Sequence, residues 1–142
     1  MNVLIINGSP RKSGSTVTIT NAFSEAASAK GANVRTYTLN DMRNIRGCQS
    51  CTKCWEVNHC VVEDDFAPAL IDHNWADIIV WATPVYMDDM SGILKLFTDR
   101  MFSNVMPEFY VDLKPEHGRL LPGKQFVFIQ TQAAPADMYL SS

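Results

Sequence analysis

Three short stretches of the chain are apolar along nearly their whole length instead of at alternate positions. They are Val3 to Ile6 (VLII), Asp77 to Thr83 (DIIVWAT) and Gln125 to Gln130 (QFVFIQ). Continuous apolar runs are typical of strands in a parallel sheet that is buried on both faces. A fourth strand is predicted over Val34 to Leu39 from its β-branched and aromatic residues. The pattern therefore predicts an α/β protein whose parallel sheet is covered by helices on both sides.

Three helices are predicted between these strands. The first begins at Ser15 and ends before Gly31, because apolar residues recur there at three- and four-residue steps. The second begins at Asp64 and Asp65 and carries three apolar side chains on its inner side, namely Phe66, Leu70 and Ile71. The third begins at Ser91 and presents five residues on one face, namely Leu94, Phe97, Thr98, Met101 and Phe102. The strand before this helix is expected to stop at Pro84.

Length, composition and charge narrow the class of protein. The 142 residues suffice for one domain with a buried core, and 46% hydrophobic against 19% charged residues excludes wholesale disorder. A net charge of -3 without a basic run argues against nucleic acid or an anionic membrane as the main partner. No signal peptide or membrane-spanning run is recognised. We expect one domain over residues 1–142, located in the cytoplasm, where thiols stay reduced.

The segment after the first strand has the composition of a phosphate-binding loop. It reads NGSPRKSGST, residues 7–16, and leads into a helix whose free N–H groups favour an anion. Its spacing is neither that of a nucleoside-triphosphatase loop nor that of a dinucleotide fingerprint. A hydroxyl-rich loop with one arginine suits a terminal phosphate such as that of FMN, although a solvated surface turn is the alternative. The candidate residues are Ser9, Arg11, Ser13, Ser15 and Thr16.

Two further strand ends are expected at the same edge of the sheet, where ligands of open parallel sheets bind. The third strand runs into a turn that offers backbone amides and flat side chains to a ring, namely Pro84, Val85, Tyr86 and Met87. The fourth strand ends at Thr131 and Gln132. The three ends together would hold a phosphate, a ribityl chain and a flavin ring.

All four cysteines lie in one loop, residues 47–61, with the spacing C-x2-C-x2-C-x5-C. They are Cys48, Cys51, Cys54 and Cys60. A reducing compartment disfavours disulfides, and zinc usually takes two pairs separated by a longer loop. The first three cysteines repeat the short step of an iron–sulfur run in bacterial ferredoxins. An iron–sulfur cluster, free thiols and a zinc site all stay open.

With these segments in place, the chain resembles the flavodoxin-like NAD(P)H-dependent FMN reductases and, among them, the iron–sulfur flavoproteins. The matching segments are GSPRKSGST, the cysteine run with Asp64 and Asp65, and ADIIVWATPVY leading to SGILKLFTDR. The resemblance implies a doubly wound sheet of strand order 2-1-3-4, FMN at the three strand ends, and a [4Fe–4S] cluster on the four cysteines. The fifth strand of the family's sheet is not found in the sequence pattern.

The resemblance also implies an activity and partners. Electrons would pass between cluster and flavin, or from NAD(P)H to a quinone or flavin, with NAD(P)H or ferredoxin as donor and a homo-oligomer (dimer or tetramer) as the assembly. Three alternatives stay open: a flavodoxin-like electron carrier without its own substrate, a cluster-free NAD(P)H:FMN reductase, and a zinc-stapled interaction domain.

The remaining ionisable residues predict no further chemistry. We find no Ser-His-Asp or Cys-His pattern with catalytic spacing, so hydrolysis is not expected. His73 and His117 are predicted to be surface residues, and Asp99 with Arg100 a structural ion pair near a helix end.

Overall fold

The computed structural model describes residues 1–112, 114 and 118–134, so that His117 lies outside the described residues. Its strands are β1 (Asn2–Asn7), β2 (Asn33–Thr38), β3 (Ile78–Tyr86), β4 (Asp89–Met90) and β5 (Gln125–Thr131). Its α-helices are α1 (Ser15–Ala29), α2 (Cys54–Val57), α3 (Ala67–Trp75), α4 (Gly92–Asp99) and α5 (Phe109–Asp112). Two 3-10 helices cover Leu39–Asp41 and Arg100–Asn104. None of the described helices is long and apolar enough to cross a membrane.

Four strands form a parallel sheet in the order β2-β1-β3-β5. In β1, Val3 lies opposite Val34 on one side and Ile78 on the other. The predicted order 2-1-3-4 is confirmed, because β5 is the predicted fourth strand. The sequence pattern did not predict β4, a two-residue strand that pairs antiparallel with the end of β3. Within the described chain, no further parallel strand follows β5.

The central strand β1 is covered on both faces, and its successive residues enter different cores. Val3 and Ile5 pack with Val80 and with side chains of α1. Leu4 and Ile6 belong to a second core on the opposite face, which includes residues of α3 and α4. All four of these β1 side chains are fully buried. This two-sided burial explains why the strand is apolar at every position. The predicted two-sided burial of β5 is wrong, because Phe126 and Phe128 are half exposed on one face.

The predicted end of β3 at Pro84 is wrong. The strand continues to Tyr86, and Pro84 lies opposite Thr131 of β5. On the other side of β3, the pairing with β1 ends at Ala82. Pro84 therefore lies where one edge of the strand is unpaired, so the N–H group that proline lacks costs no ladder bond there.

Two predictions about α3 are also wrong. Ile71 was expected on its inner side, but the side chain is 68% exposed, whereas Phe66 and Leu70 are buried. His73 was expected on the surface, but it is fully buried. Its Nδ1 lies 2.7 Å from the carbonyl oxygen of Ala69, and its Nε2 accepts a hydrogen bond from the indole N–H of Trp81 at 3.1 Å. Both ring nitrogens thus have partners inside the protein, which makes the burial of a polar ring tolerable.

The predicted ion pair between Asp99 and Arg100 does not form. Asp99 pairs with Lys95 one helical turn earlier. Arg100 instead reaches Asp64, with 2.7 Å between its Nη1 and the carboxylate Oδ2, and both side chains are excluded from solvent. Asp64 also accepts the backbone N–H of Phe66 at 3.1 Å, just before α3 begins. The predicted role of Asp64 at the helix start is thus combined with a buried ion pair.

Candidate functional site

The loop after β1 is held in shape by its own polar groups. The side chain of Asn7 accepts the N–H of Ser9 at 2.9 Å, and the hydroxyl of Ser9 accepts the N–H of Arg11 at 3.2 Å. Asn7 and Ser9 are buried, whereas Arg11 is exposed. Such side-chain-to-backbone bonds two residues apart fix the turn, so that the backbone of the loop is ordered before any ligand arrives.

Gly8 brings this loop into direct contact with the start of α4. Its N–H donates to the carbonyl of Ala82 at 2.8 Å, and its own carbonyl accepts the hydroxyl of Ser91 at 2.7 Å. A Cβ atom at Gly8 would lie only 2.8 Å from the Cβ of Leu94. The close approach of loop and helix therefore requires glycine at this position.

The first turn of α1 opens toward the loop. Its cap residue, Gly14, has φ 153° and ψ 175°, a region that essentially only glycine adopts, and no side chain caps the helix. The first helical bond runs from the N–H of Thr18 to Gly14. The preceding N–H groups, beginning at Ser15, and the positive end of the helix dipole suit an anion.

The three strand ends converge on one cleft with a volume of about 180 Å³. Thr16 and Thr131, from two of these ends, are joined through their hydroxyl oxygens at 2.6 Å. Most of the predicted cofactor-binding residues line the cleft, namely Ser9, Arg11, Ser15, Thr16, Pro84, Val85, Tyr86, Thr131 and Gln132. The uncapped end of α1 lies on one side of the cleft and the turn Pro84–Tyr86 on the other. Such a site can bind a ligand that has a phosphate at one end and a flat ring at the other.

Two predicted site residues do not line the cleft. Ser13 is exposed on the loop outside it. Met87 lies at the tip of the hairpin between β3 and β4, with its side chain 97% exposed. Met87 and Asp88 have φ values of 49° and 63°, so both central residues of this two-residue turn are left-handed. A turn of this kind matches the twist of the strands and carries its tip away from the sheet.

Gly14 and Ala133, which belong to the predicted loop and to the predicted end of the fourth strand, also line the cleft. Two supporting residues were missed, namely Asn7 and Ser91, which hold the loop from below. Asn7 was detectable, since an asparagine before Gly-Ser at a strand end favours a turn in which its side chain bonds the backbone. The contact of Ser91 with Gly8 joins positions far apart in the chain, and no local signal predicts it.

The four cysteines surround a second, much smaller cavity of about 20 Å³. Cys54 is buried, Cys60 is half-buried, and Cys48 and Cys51 are exposed. Across residues 1–112, 114 and 118–134, no three histidine, cysteine or acidic side chains stand in an arrangement that could hold a metal ion. The thiols thus share one cavity without standing in ligating geometry. A metal site rarely exists in the unfolded chain, so metal binding is coupled to folding.

The ends of the cysteine loop are clamped by one buried arginine. Arg100 donates from Nη1 to the carbonyl of Arg46 at 2.9 Å and from Nη2 to the carbonyl of Val62 at 3.0 Å. Its Nε donates to the Sγ of Cys60 at 3.1 Å. Burial alone lowers the pKa of Arg100, but the hydrogen bond to Asp64 and the proximity of Cys60 outweigh it, and the pKa is raised. Arg100 therefore remains a cation inside the protein.

Cys54 has a cationic neighbour of its own. The guanidinium of Arg119 donates from Nη1 to the carbonyl of Cys54 at 2.8 Å. Burial raises the pKa of the Cys54 thiol, and the charge of Arg119 opposes that effect. Two buried donors have no partner in the described structure, namely Nε of Arg119 and Nε1 of Trp55, the residue after Cys54 in the chain. Unpaired buried N–H groups are costly, so they point to a missing acceptor.

The donor set fits an iron–sulfur cluster. Four thiols border one cavity, and the guanidinium of Arg119, whose Nε has no partner in the described structure, bonds to the carbonyl of Cys54. Thiolate and sulfide sulfur atoms accept hydrogen bonds from such donors.

A parallel sheet of this order, with its cleft at the carboxyl ends of three strands, defines a flavodoxin-like α/β protein. The sequence pattern of the NADPH-dependent FMN reductase family matches residues 1–138. The chain belongs to this family. Iron–sulfur flavoproteins of Methanocaldococcus jannaschii and Methanosarcina thermophila are each 32% identical to it over 100 residues, which are 70% of this chain.

The match covers only part of those relatives. The aligned residues are 51% of the Methanocaldococcus protein and 52% of the Methanosarcina protein, so the chain spans about half the length of the curated relatives it matches. Among solved structures, an FMN-dependent NADH-azoreductase from Bacillus anthracis in complex with FMN superposes with a TM-score of 0.66 at 15% identity. That superposition covers 95% of this chain and 70% of the azoreductase, and it supports the fold.

Proposed function

We propose that this protein is an FMN-dependent oxidoreductase that passes electrons between flavin and a [4Fe–4S] cluster. The observation that carries the flavin part is the convergence of an uncapped helix end, a hydroxyl-rich loop and a flat turn on one cleft. The FMN-bound azoreductase, which has the same fold, supports the choice of ligand. The names of the iron–sulfur flavoprotein relatives support the cluster.

Different residues of the cleft would bind the phosphate and the ring of FMN. The N–H groups of α1 and the hydroxyls of Ser9, Ser15 and Thr16 would hold the phosphate, with Arg11 as its counter-charge. The turn Pro84–Tyr86 and the pair Thr131 and Gln132 would contact opposite parts of the ring. Flavin would supply the hydride and single-electron chemistry, so these side chains need only bind, orient and exclude water.

The cluster would take Cys48, Cys51, Cys54 and Cys60 as its ligands. All four border the same cavity, with Cys48 and Cys51 on its exposed side and Cys54 buried. NAD(P)H or ferredoxin would be the electron donor, and a quinone or a flavin the acceptor. We further propose a single domain that works in the cytoplasm as a homo-oligomer.

The phosphate loop is tested by Arg11→Ala. Loss of a charge-assisted hydrogen bond should weaken FMN binding by about tenfold or more. Lys12→Ala is the matched control, since Lys12 is the adjacent exposed cation and does not line the cleft. Quenching of flavin fluorescence by the apoprotein gives both affinities. Equal affinities for Arg11→Ala and the unaltered protein would contradict the proposed loop.

A cluster-free NAD(P)H:FMN reductase is the second candidate, because the family to which the chain belongs is that of the NADPH-dependent FMN reductases. Iron and acid-labile sulfide assays on anaerobically purified protein separate the two. About four irons and four sulfides per chain support the cluster. Full flavin without iron supports the second candidate. Steady-state NAD(P)H oxidation distinguishes either from an electron carrier, which turns over only with a separate reductase.

A further inference from the structure

We propose that Arg100 is a positioning residue for the iron–sulfur site, which aims the sulfur of Cys60 and raises the reduction potential of the cluster through an N–H···S hydrogen bond. The proposal rests on the function proposed above, since it assumes that the four cysteines hold a cluster. It concerns a residue that the sequence pattern predicted to pair with Asp99 instead.

Arg100 joins the two ends of the cysteine loop. Arg100 is the first residue of the 3-10 helix that follows α4, far in sequence from the cysteines. Its side chain is completely buried. It bonds to the carbonyls of Arg46 and Val62, which flank the four cysteines on either side. One side chain thus closes the base of the whole loop and sets the distance between its ends.

Arg100 also contacts the sulfur atom of Cys60. The Nε of Arg100 donates a hydrogen bond to the Sγ of Cys60 at 3.1 Å. The two terminal nitrogens of the same guanidinium bond to the loop carbonyls and to Asp64. The fork of an arginine is rigid, so these bonds fix the direction of Nε. Cys60 therefore meets a donor whose orientation does not depend on Cys60 itself.

The charged side chains around the cysteine segment carry a net positive charge. Within the described residues, three charged side chains outside the segment 46–62 hydrogen-bond to it, namely Arg100, Arg119 and Asp64. Their sum is positive. A cluster with four thiolate ligands is an anion and becomes more negative when it is reduced. Hydrogen bonds to sulfur and nearby positive charge stabilise the reduced form more than the oxidised form, which raises the potential.

The experiment measures iron content and cluster potential in anaerobically reconstituted protein. The variants are Arg100→Lys, which keeps the charge but removes the Nε donor, and the double variant Arg100→Gln/Asp64→Asn, which removes both charges together. We expect both to shift the potential to more negative values, and the double variant to lose iron faster to a chelator. The double variant avoids an unpaired buried carboxylate, which would itself threaten folding.

The matched control is Arg35→Gln/Asp72→Asn, which removes another arginine–aspartate pair, 2.6 Å long, that does not contact the cysteine loop. Its potential should equal that of the unaltered protein. FMN binding and thermal unfolding report whether each variant is folded.

The outcomes separate two kinds of failure. If the unaltered protein takes up no iron, the cluster itself is refuted and the inference falls with it. If the unaltered protein is loaded and both Arg100 variants keep the same potential and the same resistance to chelation, only the role of Arg100 is refuted. An equal shift in the Arg35 control would also refute it, because the effect would then be a general one.

Discussion

At the scale of single residues, the fold contains polar groups that are buried together with their hydrogen-bond partners. His73 is the clearest example, since its ring joins α3 to the indole of Trp81 in β3. Burial lowers its pKa from 6.5 to about 4. The folded protein therefore keeps this ring neutral at pH values where the unfolded chain protonates it.

This difference predicts a dependence of stability on pH. Between pH 6.5 and about 4 the unfolded chain binds more protons at His73 than the folded protein does, so the free energy of unfolding falls as the pH falls through this window. The total loss should approach about 3 kcal/mol. Urea denaturation across this range measures it.

His73→Gln is the variant that isolates the effect, because glutamine cannot be protonated. Its stability should change less between pH 7 and pH 4 than that of the unaltered protein, by about the same 3 kcal/mol. If the two pH profiles run parallel, His73 is not the group responsible.

The sequence could not predict the buried hydrogen bonds of His73 and Arg100. The three- and four-residue step of Phe66, Leu70 and His73 puts this ring on the inner face of the helix. The pattern does not show which group satisfies a buried ring, because the partner Trp81 belongs to another element. Arg100 follows Asp99 directly, which suggested a local pair, yet it bonds to Asp64, 36 positions earlier. Partners of buried polar groups are set by tertiary packing, which a local pattern does not contain.

At the scale of elements, the contact between the phosphate loop and α4 decides the geometry of the cleft. Gly8→Ala would place a Cβ atom 2.8 Å from that of Leu94 and 3.0 Å from the hydroxyl of Ser91. We expect a loss of about 1–3 kcal/mol in stability, typical of overpacking, together with weaker FMN binding. Denaturant titration and flavin fluorescence measure the two effects.

Gly92→Ala is the matched control, because a Cβ atom there meets no atom within 4 Å. Gly92 begins α4, and alanine in a helix is as stable as glycine or more so. This variant should therefore keep both stability and flavin affinity. Equal effects of the two substitutions would mean that the close approach at Gly8 is not what holds the loop.

Most of the elements themselves were predictable. Strands that are buried on both faces leave an unbroken apolar run, and helices leave a three- and four-residue step, so both are visible in the sequence. The strand β4 was missed because its two residues are too few to form a pattern. The exposure of Ile71 was missed although this residue lies off the face that Phe66, Leu70 and His73 share.

At the scale of the whole molecule, β5 is the outer parallel strand of the described sheet and carries two exposed aromatic side chains. Phe126 and Phe128 are 55% and 50% exposed, on the face that also presents Trp81 and Met90. The alternate residues Val127 and Ile129 pack against the core shared with α1. An apolar face on an outer strand favours contact with another surface.

We therefore predict that Phe126→Ser/Phe128→Ser reduces self-association of the protein. Because both side chains are half exposed, stability should fall much less than in Phe97→Ala, where loss of a fully buried ring should cost about 3–5 kcal/mol. Light scattering after gel filtration measures the mass. An unchanged mass distribution at the same concentration would refute a role of this face in assembly.

Visible absorption spectroscopy of anaerobically purified protein, before and after dithionite, shows whether one chain holds flavin in the cleft and a cluster in the cysteine loop. We expect the bands of bound flavin on top of a broad cluster absorption, with both bleached by reduction. A spectrum that lacks the flavin bands after reconstitution with FMN, or that shows flavin bands without the broad cluster absorption, would contradict this expectation.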